Sequence, residues 1–509
     1  MGLRFENHGN RRYAYWCTSR NVPGKDLPVS AKTYVGVLSD DGRTIIPKPV
    51  DIGSFDAPVL DGCFRVKDHG GTVLALEFMR RLGIVDGLTG AMGDDALAVI
   101  AAACFYAIHP APSALPPAID TLHLEGMFDG RIPTPKAVMK VLKDMPRVLE
   151  AYSGAVRTAE DCIVFPVGCP NRSAITESDP TAPMTVMVAT NEGDPLAVGT
   201  IAGCADRVDA CMLFEEVSSM YGGSKTFFVD RMMGDPVSAF YRLVRNDRRA
   251  VALLDGDNGP SPTSFRRFFR GSEGMTGSDG HDLVATQTNI DMIPEGSRVR
   301  LVPAEGSDRC HVRVRAVVVR DVEGSDENRK AMMSMLDSRR RWLETWVCGP
   351  DDLWRWDRRF FEVKVDDGRA VVGLRRNAVR RIEDDACTTM FLTDSDGPDR
   401  CIDIMRTVGG LRKQTASMLP LDERGWIDRG VEWQVVPRVI AMRVRIAISM
   451  ELASAGEVMT VDDAFRIASG YKVVMTGDRT LTSSYTSDVR KLFEVLHIDY
   501  NAIAIRKSN

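Results

Sequence analysis

Between residues 162 and 254 the chain alternates short apolar runs with stretches of helical periodicity, a rhythm that restricts it to a layered α/β architecture. Residues 163–165, 185–190 and 196–201 read as strands, and 209–221 as a helix. The run 225–230 is a strand that ends in an acid, Asp230. Pro236 opens a helix that continues to residue 245, and 250–254 is strand-like again. Strands and helices in this succession predict a mixed sheet built in layers.

The flanks have a different grain. Tyr13, Tyr15 and Trp16 in one run, and Tyr34 and Val35 in another, predict a small β unit over 12–47. Helices follow: 72–82 sets Val73, Leu76, Phe78, Met79 and Leu82 largely on one face, and 94–108 is apolar enough to be buried. Pro110, Pro112, Pro116 and Pro117 break that pattern, and a helical hairpin over 119–152 resumes it, with Thr134 and Pro135 opening its second helix. Residues 255–280 are rich in Gly, Ser, Pro and Asp and read as a linker. A β-rich section comes next. In 311–319, Val312, Val314, Ala316 and Val318 share one face, and Arg313 and Arg315 take the other. A helix over 328–346 turns Met332, Met335, Leu336, Leu343 and Trp346 inward, and Asp366 to Arg369 mark a hairpin turn. A long helix spans 435–452. The expected division is a β unit (1–60), a helical region (61–158), an α/β core (159–257 plus 385–455), a β-rich insertion (258–384) and an α/β tail (456–509).

Composition narrows the function classes. The chain has 509 residues, 44% of them hydrophobic, enough for a sizeable core. A net charge of −5 and a pI near 5.9 argue against a dedicated basic DNA-binding domain, although a local basic groove is compatible with them. The 11 cysteines show no zinc-knuckle spacing and no disulfide framework, which predicts buried thiols in a reducing cytoplasm. The first ten residues are polar, unlike a signal peptide, and the apolar run 96–108 falls short of the roughly 20 residues that span a bilayer. A cytoplasmic protein without a membrane partner is expected. No phosphate loop, dinucleotide fingerprint, HExxH or GxSxG occurs, so nucleotide hydrolysis, zinc proteolysis and esterase chemistry lack support. His123 and Glu125 form an HxE, but the PCxxC that a zinc deaminase also needs is missing.

Three candidate sites remain. Asp230 ends its strand where acids of α/β sheets face functional crevices, with Arg231 beside it; the bland alternative is a turn or cap residue. Arg339, Arg340 and Arg341 form a phosphate-contacting ridge or a solvated helix face. Trp354, Arg355 and Trp356 mix rings and cations in a way that stacks bases or packs a strand edge.

Seven segments stand in a telling order: Tyr34-Val35-Gly36, Ile46-Pro47, Leu82-Gly83, the stretch from Glu192 to Leu196, Gly203 to Asp206, Phe228-Val229-Asp230-Arg231, and the β-rich section with its arginine-rich helix. Taken together they resemble insertion-sequence DDE transposases of the IS-four type. Residues 472–505 resemble that group's C-terminal tail. The resemblance implies an RNase H-like core carrying a β-rich insertion behind an N-terminal α+β region. It also implies a centre in which three carboxylates hold two Mg2+ or Mn2+ ions for phosphoryl transfer on DNA. Asp230 matches the second acid and would be a metal ligand. Pro166 stands where the first acid belongs, Met232 replaces the glycine after the Asp-Arg pair, and Leu411 or Arg412 falls at the third acid.

The expectation is therefore a transposase-like protein of a mobile element that binds double-stranded DNA, with cleavage and strand transfer weakened or lost. A homodimer is compatible with it. One alternative is an active enzyme that borrows displaced acids, for which Glu160, Asp161, Asp403 and Asp422 are nearby in sequence. The other is a protein-interaction scaffold with no DNA role.

Overall fold

The computed structural model describes residues 2–9, 11–20, 29–38, 44–47, 64–111, 116–124, 133–156, 160–167, 184–201, 207–217, 223–233, 235–254, 273–276, 282–295, 298–303, 312–321, 324–345, 349, 353, 357–366, 369–375, 388–394, 396–421, 427, 431–476, 479–483 and 485–499. The chain is mixed α/β and forms two compact units. Residues 1–158, 194–198 and 413–509 make the first; 159–193 and 199–412 make the second.

The first unit opens with β1 (Gly2–His8), β2 (Arg11–Arg20), β3 (Val29–Leu38), β4 (Thr44–Pro47) and β5 (Phe64–Asp68), each antiparallel to the next. β1 lies in a segment that reads as polar, yet Leu3 and Phe5 alternate with charged residues and put one face into a core. Helices α1 (Gly70–Arg81), α2 (Ile84–Met92), α3 (Ala96–Ile108), α4 (Pro135–Lys143) and α5 (Met145–Ala155) follow. α4 starts as its sequence predicts: the Thr134 hydroxyl accepts the Ala137 N–H at 3.2 Å, and Pro135 occupies the first turn, where an N–H has no helical acceptor. The apolar helical run is longer than expected, Ile84–Ile108 at 25 residues, because a 3-10 turn links α2 to α3. Its most apolar window is 78% buried within the protein, and α3 is apolar nearly all round because it is central in its layer.

The second unit holds β6 (Cys162–Pro166), β7 (Met184–Thr190), β8 (Pro195–Ile201, of which 195–198 are grouped with the first unit), α6 (Arg207–Val217), β9 (Lys225–Val229), α7 (Pro236–Arg245) and β10 (Arg249–Leu254). These are followed by β11 (Glu273–Thr276), β12 (Asp282–Glu295), β13 (Arg298–Pro303), β14 (Val312–Asp321), α8 (Gly324–Leu343), α9 (Asp357–Phe360), β15 (Phe361–Asp366), β16 (Arg369–Leu374), β17 (Thr388–Thr393) and α10 (Pro398–Met418), whose last turns, 413–418, are grouped with the first unit. One large sheet runs in the order β8-β7-β6-β9-β10-β17-β14-β12-β11, with β13 on β12. β9 is parallel to β6 and to β10; β6–β7, β10–β17, β17–β14 and β14–β12 are antiparallel.

Most of the predicted insertion is therefore continuous with the core sheet. β14 shows why. Beyond the valines read as its inner face, Val317 and Val319 are buried too, so the strand is covered on both faces as interior strands are. Only α8, α9 and the hairpin β15–β16 build a satellite core, from Leu336, Leu343, Leu353, Phe361 and Val372. Met335 does not join it, contrary to expectation. It is 52% exposed, and Met333 takes the inward position.

The first unit resumes with α11 (Val435–Ser454), α12 (Val461–Ala468), β18 (Lys472–Thr476), β19 (Arg479–Thr482) and α13 (Ser487–Val495). β18 pairs antiparallel with β5 and with β19, and a bridge from Ser483 to Leu3 brings β19 back to β1, so the seven strands close into a small barrel. Leu3, Ala14, Val35, Leu38, Ile45, Val66 and Val474 fill it. The segments expected to be separate at 1–60 and 456–509 thus share one sheet, and 435–455, assigned to the core, lies in this unit.

Candidate functional site

The second unit brings positions 166, 230 and 412 together. Asp230 follows the last residue of β9, and Pro166 ends the neighbouring parallel strand β6, so both sit at the C-terminal ends of adjacent strands. Arg412 projects from α10. Leu411, its alternative in the sequence, is 3% exposed and turned into the core. The Asp230 carboxylate is buried and accepts two hydrogen bonds: the Met232 N–H to Oδ1 at 2.9 Å and the Arg412 Nη1–H to Oδ2 at 2.6 Å. Arg412 also donates from Nε and Nη2 to the Pro166 carbonyl at 3.1 and 2.9 Å. Its guanidinium lies 6.0 Å from the Phe165 ring centroid and 5.7 Å from that of Phe228. The arginine side chain is 22% exposed and the aspartate 11%.

This donor set does not fit a pair of divalent ions. Among the described residues one carboxylate is present, and a cation already neutralises it; Pro166 adds a single neutral carbonyl. Among the described residues no three His, Cys, Asp or Glu side chains come together. A divalent ion set against Asp230 would stand beside the Arg412 guanidinium that already holds this carboxylate, and like charges so placed repel.

The displaced acids among the described residues do not reach the site either. Glu160 and Asp161 precede β6, at the strand end opposite Pro166, about 16 Å away at ~3.3 Å per residue. Asp161 there accepts from the Ser224 hydroxyl and pairs with Arg249 at 4.0 Å. Asp403 is exposed on α10, about 13 Å along the helix axis from Arg412. Asp422 lies outside the described residues.

Near that opposite strand end, Asp394 accepts the Ala250 N–H at 3.2 Å. Burial pushes its carboxyl above the usual aspartate value of 3.8, and Asp396 adds to the rise. A carboxyl raised on folding favours the native state below its unfolded value, and that contribution is lost as pH rises through the folded value. Asp394→Asn keeps an acceptor for Ala250. It should raise the melting temperature at pH 7 relative to the parent chain, with the difference closing at pH 3; a lower melting temperature at pH 7 refutes this.

The basic candidates have structural partners. Arg339 forms a two-pronged pair with the fully buried Asp357, Nε to Oδ1 at 3.0 Å and Nη2 to Oδ2 at 2.9 Å, and stacks 4.1 Å from the Trp342 ring centroid. Arg340 lies 3.8 Å from both Asp337 and Glu344. Arg341 is exposed and reaches the Asp337 carbonyl at 3.4 Å. The side chain of Arg231, and residues Trp354, Arg355 and Trp356, lie outside what is described. In the first unit His123 is buried with its Nδ1 2.9 Å from that of His69, and Glu125 lies outside the described residues.

The residues that sequence reasoning passed over are Phe165 and Phe228, whose rings flank the Arg412 guanidinium. Their signal was adjacency to Pro166 and Asp230 at the ends of apolar strands. No protein-family model, no curated protein and no solved structure matches the chain.

Proposed function

We propose that this chain is a transposase-like protein of the IS-four type that binds double-stranded DNA and has lost metal-dependent cleavage. The observation that carries the loss is the Arg412–Asp230 ion pair beside the Pro166 carbonyl. A guanidinium stands where the resemblance requires a third acid, and it holds the one acid that remains.

Ancestry draws support from topology. Counting β6 to β10 as first to fifth, the strand order is 3-2-1-4-5, with the second antiparallel to the first and the fourth parallel to the first and to the fifth. α6 and α7 fall between the third and fourth and the fourth and fifth strands, and α10 closes the unit after the β-rich stretch. That is the arrangement an RNase H-like core would take, with the insertion ahead of the helix that carries the third position. Mg2+ or Mn2+ would supply the phosphoryl-transfer chemistry in an intact relative. Here no step runs through them.

The test is a nicking and strand-joining assay on duplex DNA carrying the element's terminal repeats, with Mg2+ and with Mn2+, beside a binding titration over salt. The expected result is a mobility shift that weakens steeply with salt and no metal-dependent product. Nicking that Asp230→Ala abolishes would overturn the proposal. A scaffold role is the second reading, favoured by the pairing of Arg339 and Arg340 with acids and by the exposed Met335 and Trp342 on the same helix. Absence of duplex binding even at low salt selects it.

A further inference from the structure

The outer face of β1–β3 sets tyrosine rings beside cations. Cross-strand pairs set the face: Arg4 stands opposite Tyr15, Glu6 opposite Tyr13, His8 opposite Arg11, and Tyr15 opposite Tyr34. Residues opposite one another share a side of the sheet, and the other side is the barrel interior with Leu3 and Ala14. Three tyrosines thus stand side by side on the outside. The Tyr34 ring lies 5.7 Å from Tyr13 and 5.6 Å from Tyr15, and His8 packs edge-on to Tyr13 at 5.4 Å. All three tyrosines are half-buried, their rings forming a continuous surface.

Cations border this surface. Arg4, Arg11 and Lys32 are exposed on the same side. The acid among them, Glu6, accepts from Lys32 and lies 3.9 Å from His8, so Arg4 and Arg11 leave a positive excess in an acidic protein.

From this juxtaposition we infer that the β1–β3 face of the barrel binds single-stranded nucleic acid, with bases stacked on Tyr13, Tyr15 and Tyr34 and phosphates against Arg4 and Arg11. Rings can only be used this way by bases that are not already stacked in a duplex, which selects single strands. Backbone charge selects the cations, and π-faces without base-edge donors give little sequence preference. A purely structural ladder of cross-strand tyrosines would have no use for the positive border. The inference rests on the reading that the chain handles DNA, and it names a different surface and a different form of the nucleic acid.

The experiment uses the full chain and labelled oligomers of about 20 nucleotides: oligo(dT), oligo(rU), and a duplex of the same length, read by fluorescence anisotropy. The expected result is binding of a single strand, with the deoxy and ribo arms telling which sugar is preferred. Tyr34→Ala and the pair Tyr13→Ala with Tyr15→Ala should each weaken it about tenfold or more, while Phe in place of each Tyr restores binding to within about twofold, because stacking needs the ring and not the hydroxyl. Arg4→Ala with Arg11→Ala should flatten the salt dependence. Duplex binding should be unchanged in the tyrosine variants. Should the alanine variants fail to fold by circular dichroism, photocrosslinking of bromouracil-substituted oligomer to the parent chain decides, with adducts expected within β1–β3. No single-strand binding, unchanged binding in folded alanine variants, or adducts confined elsewhere would each overturn the inference. Duplex binding without single-strand binding defeats this inference alone; single-strand binding without duplex binding defeats the duplex reading alone.

Discussion

Replacing Arg412 with methionine should destabilise the second unit by about 3 kcal/mol, the low end of what breaking a buried ion pair costs. The charge left behind is what makes the loss large. Asp230 would keep one hydrogen bond, from the Met232 N–H, and a carboxylate that is almost out of water. The Pro166 carbonyl would lose both of the hydrogen bonds it accepts from the guanidinium. The low end applies because Arg412 is a fifth exposed and water can re-enter. Adding Asp230→Asn should recover most of the loss, since a neutral amide no longer needs the cation and still accepts from Met232. Urea unfolding of the four chains gives the coupling, expected at about 2 kcal/mol. Additive effects of the two substitutions would mean that the pair is incidental, and the account of the lost centre would fall with it.

Arg438→Met should cost the first unit a similar amount, about 3 kcal/mol or more, for a different reason. Arg438 is 1% exposed and has no carboxylate among its hydrogen-bond acceptors. Its guanidinium donates to Gln434 Oε1 at 3.1 and 2.9 Å, to the Pro110 carbonyl at 3.3 Å and to the Met418 carbonyl, and lies 3.9 Å from the centroid of the Tyr106 ring. Met418 is the last residue of α10, so the cation also meets the negative end of that helix. Methionine fills most of the volume yet leaves three oxygens short of a donor, those of Gln434 and Met418 buried and that of Pro110 partly so. A fall of the urea midpoint is the expected reading; an unchanged midpoint would show that water replaces the arginine at no cost.

The α/β alternation of 162–254 was legible because burial is written locally: an apolar run between polar turns has few other uses. Asp230 was legible for the same reason. The ambiguity between Leu411 and Arg412 was not resolvable, since adjacent residues on a helix differ only in direction, and the direction is fixed by packing against strands far away in sequence. Barrel closure was hidden for a related cause. The pairing of β5 with β18 is made of backbone hydrogen bonds, which every sequence can form, so nothing in 64–68 names 472–476 as its neighbour. The inward turn of Met335 failed because Met333 and Met335 are chemically alike yet point to nearly opposite sides of the helix, about 200° apart, and packing took the first.

The barrel has a consequence for the order in which this protein comes into being. Five of its staves leave the ribosome first, and the two that finish it lie beyond residue 471, with the whole of the second unit translated in between. The early staves must wait, open-edged and with Leu3, Val35 and Ile45 uncovered, while residues 69–471, about 400 of them, are made, which takes at least about 20 seconds at speeds of up to ~20 residues per second. A nascent chain in that interval is the form most in need of a chaperone, and a messenger cut short before β18 would yield a protein whose second unit is complete and whose first never closes.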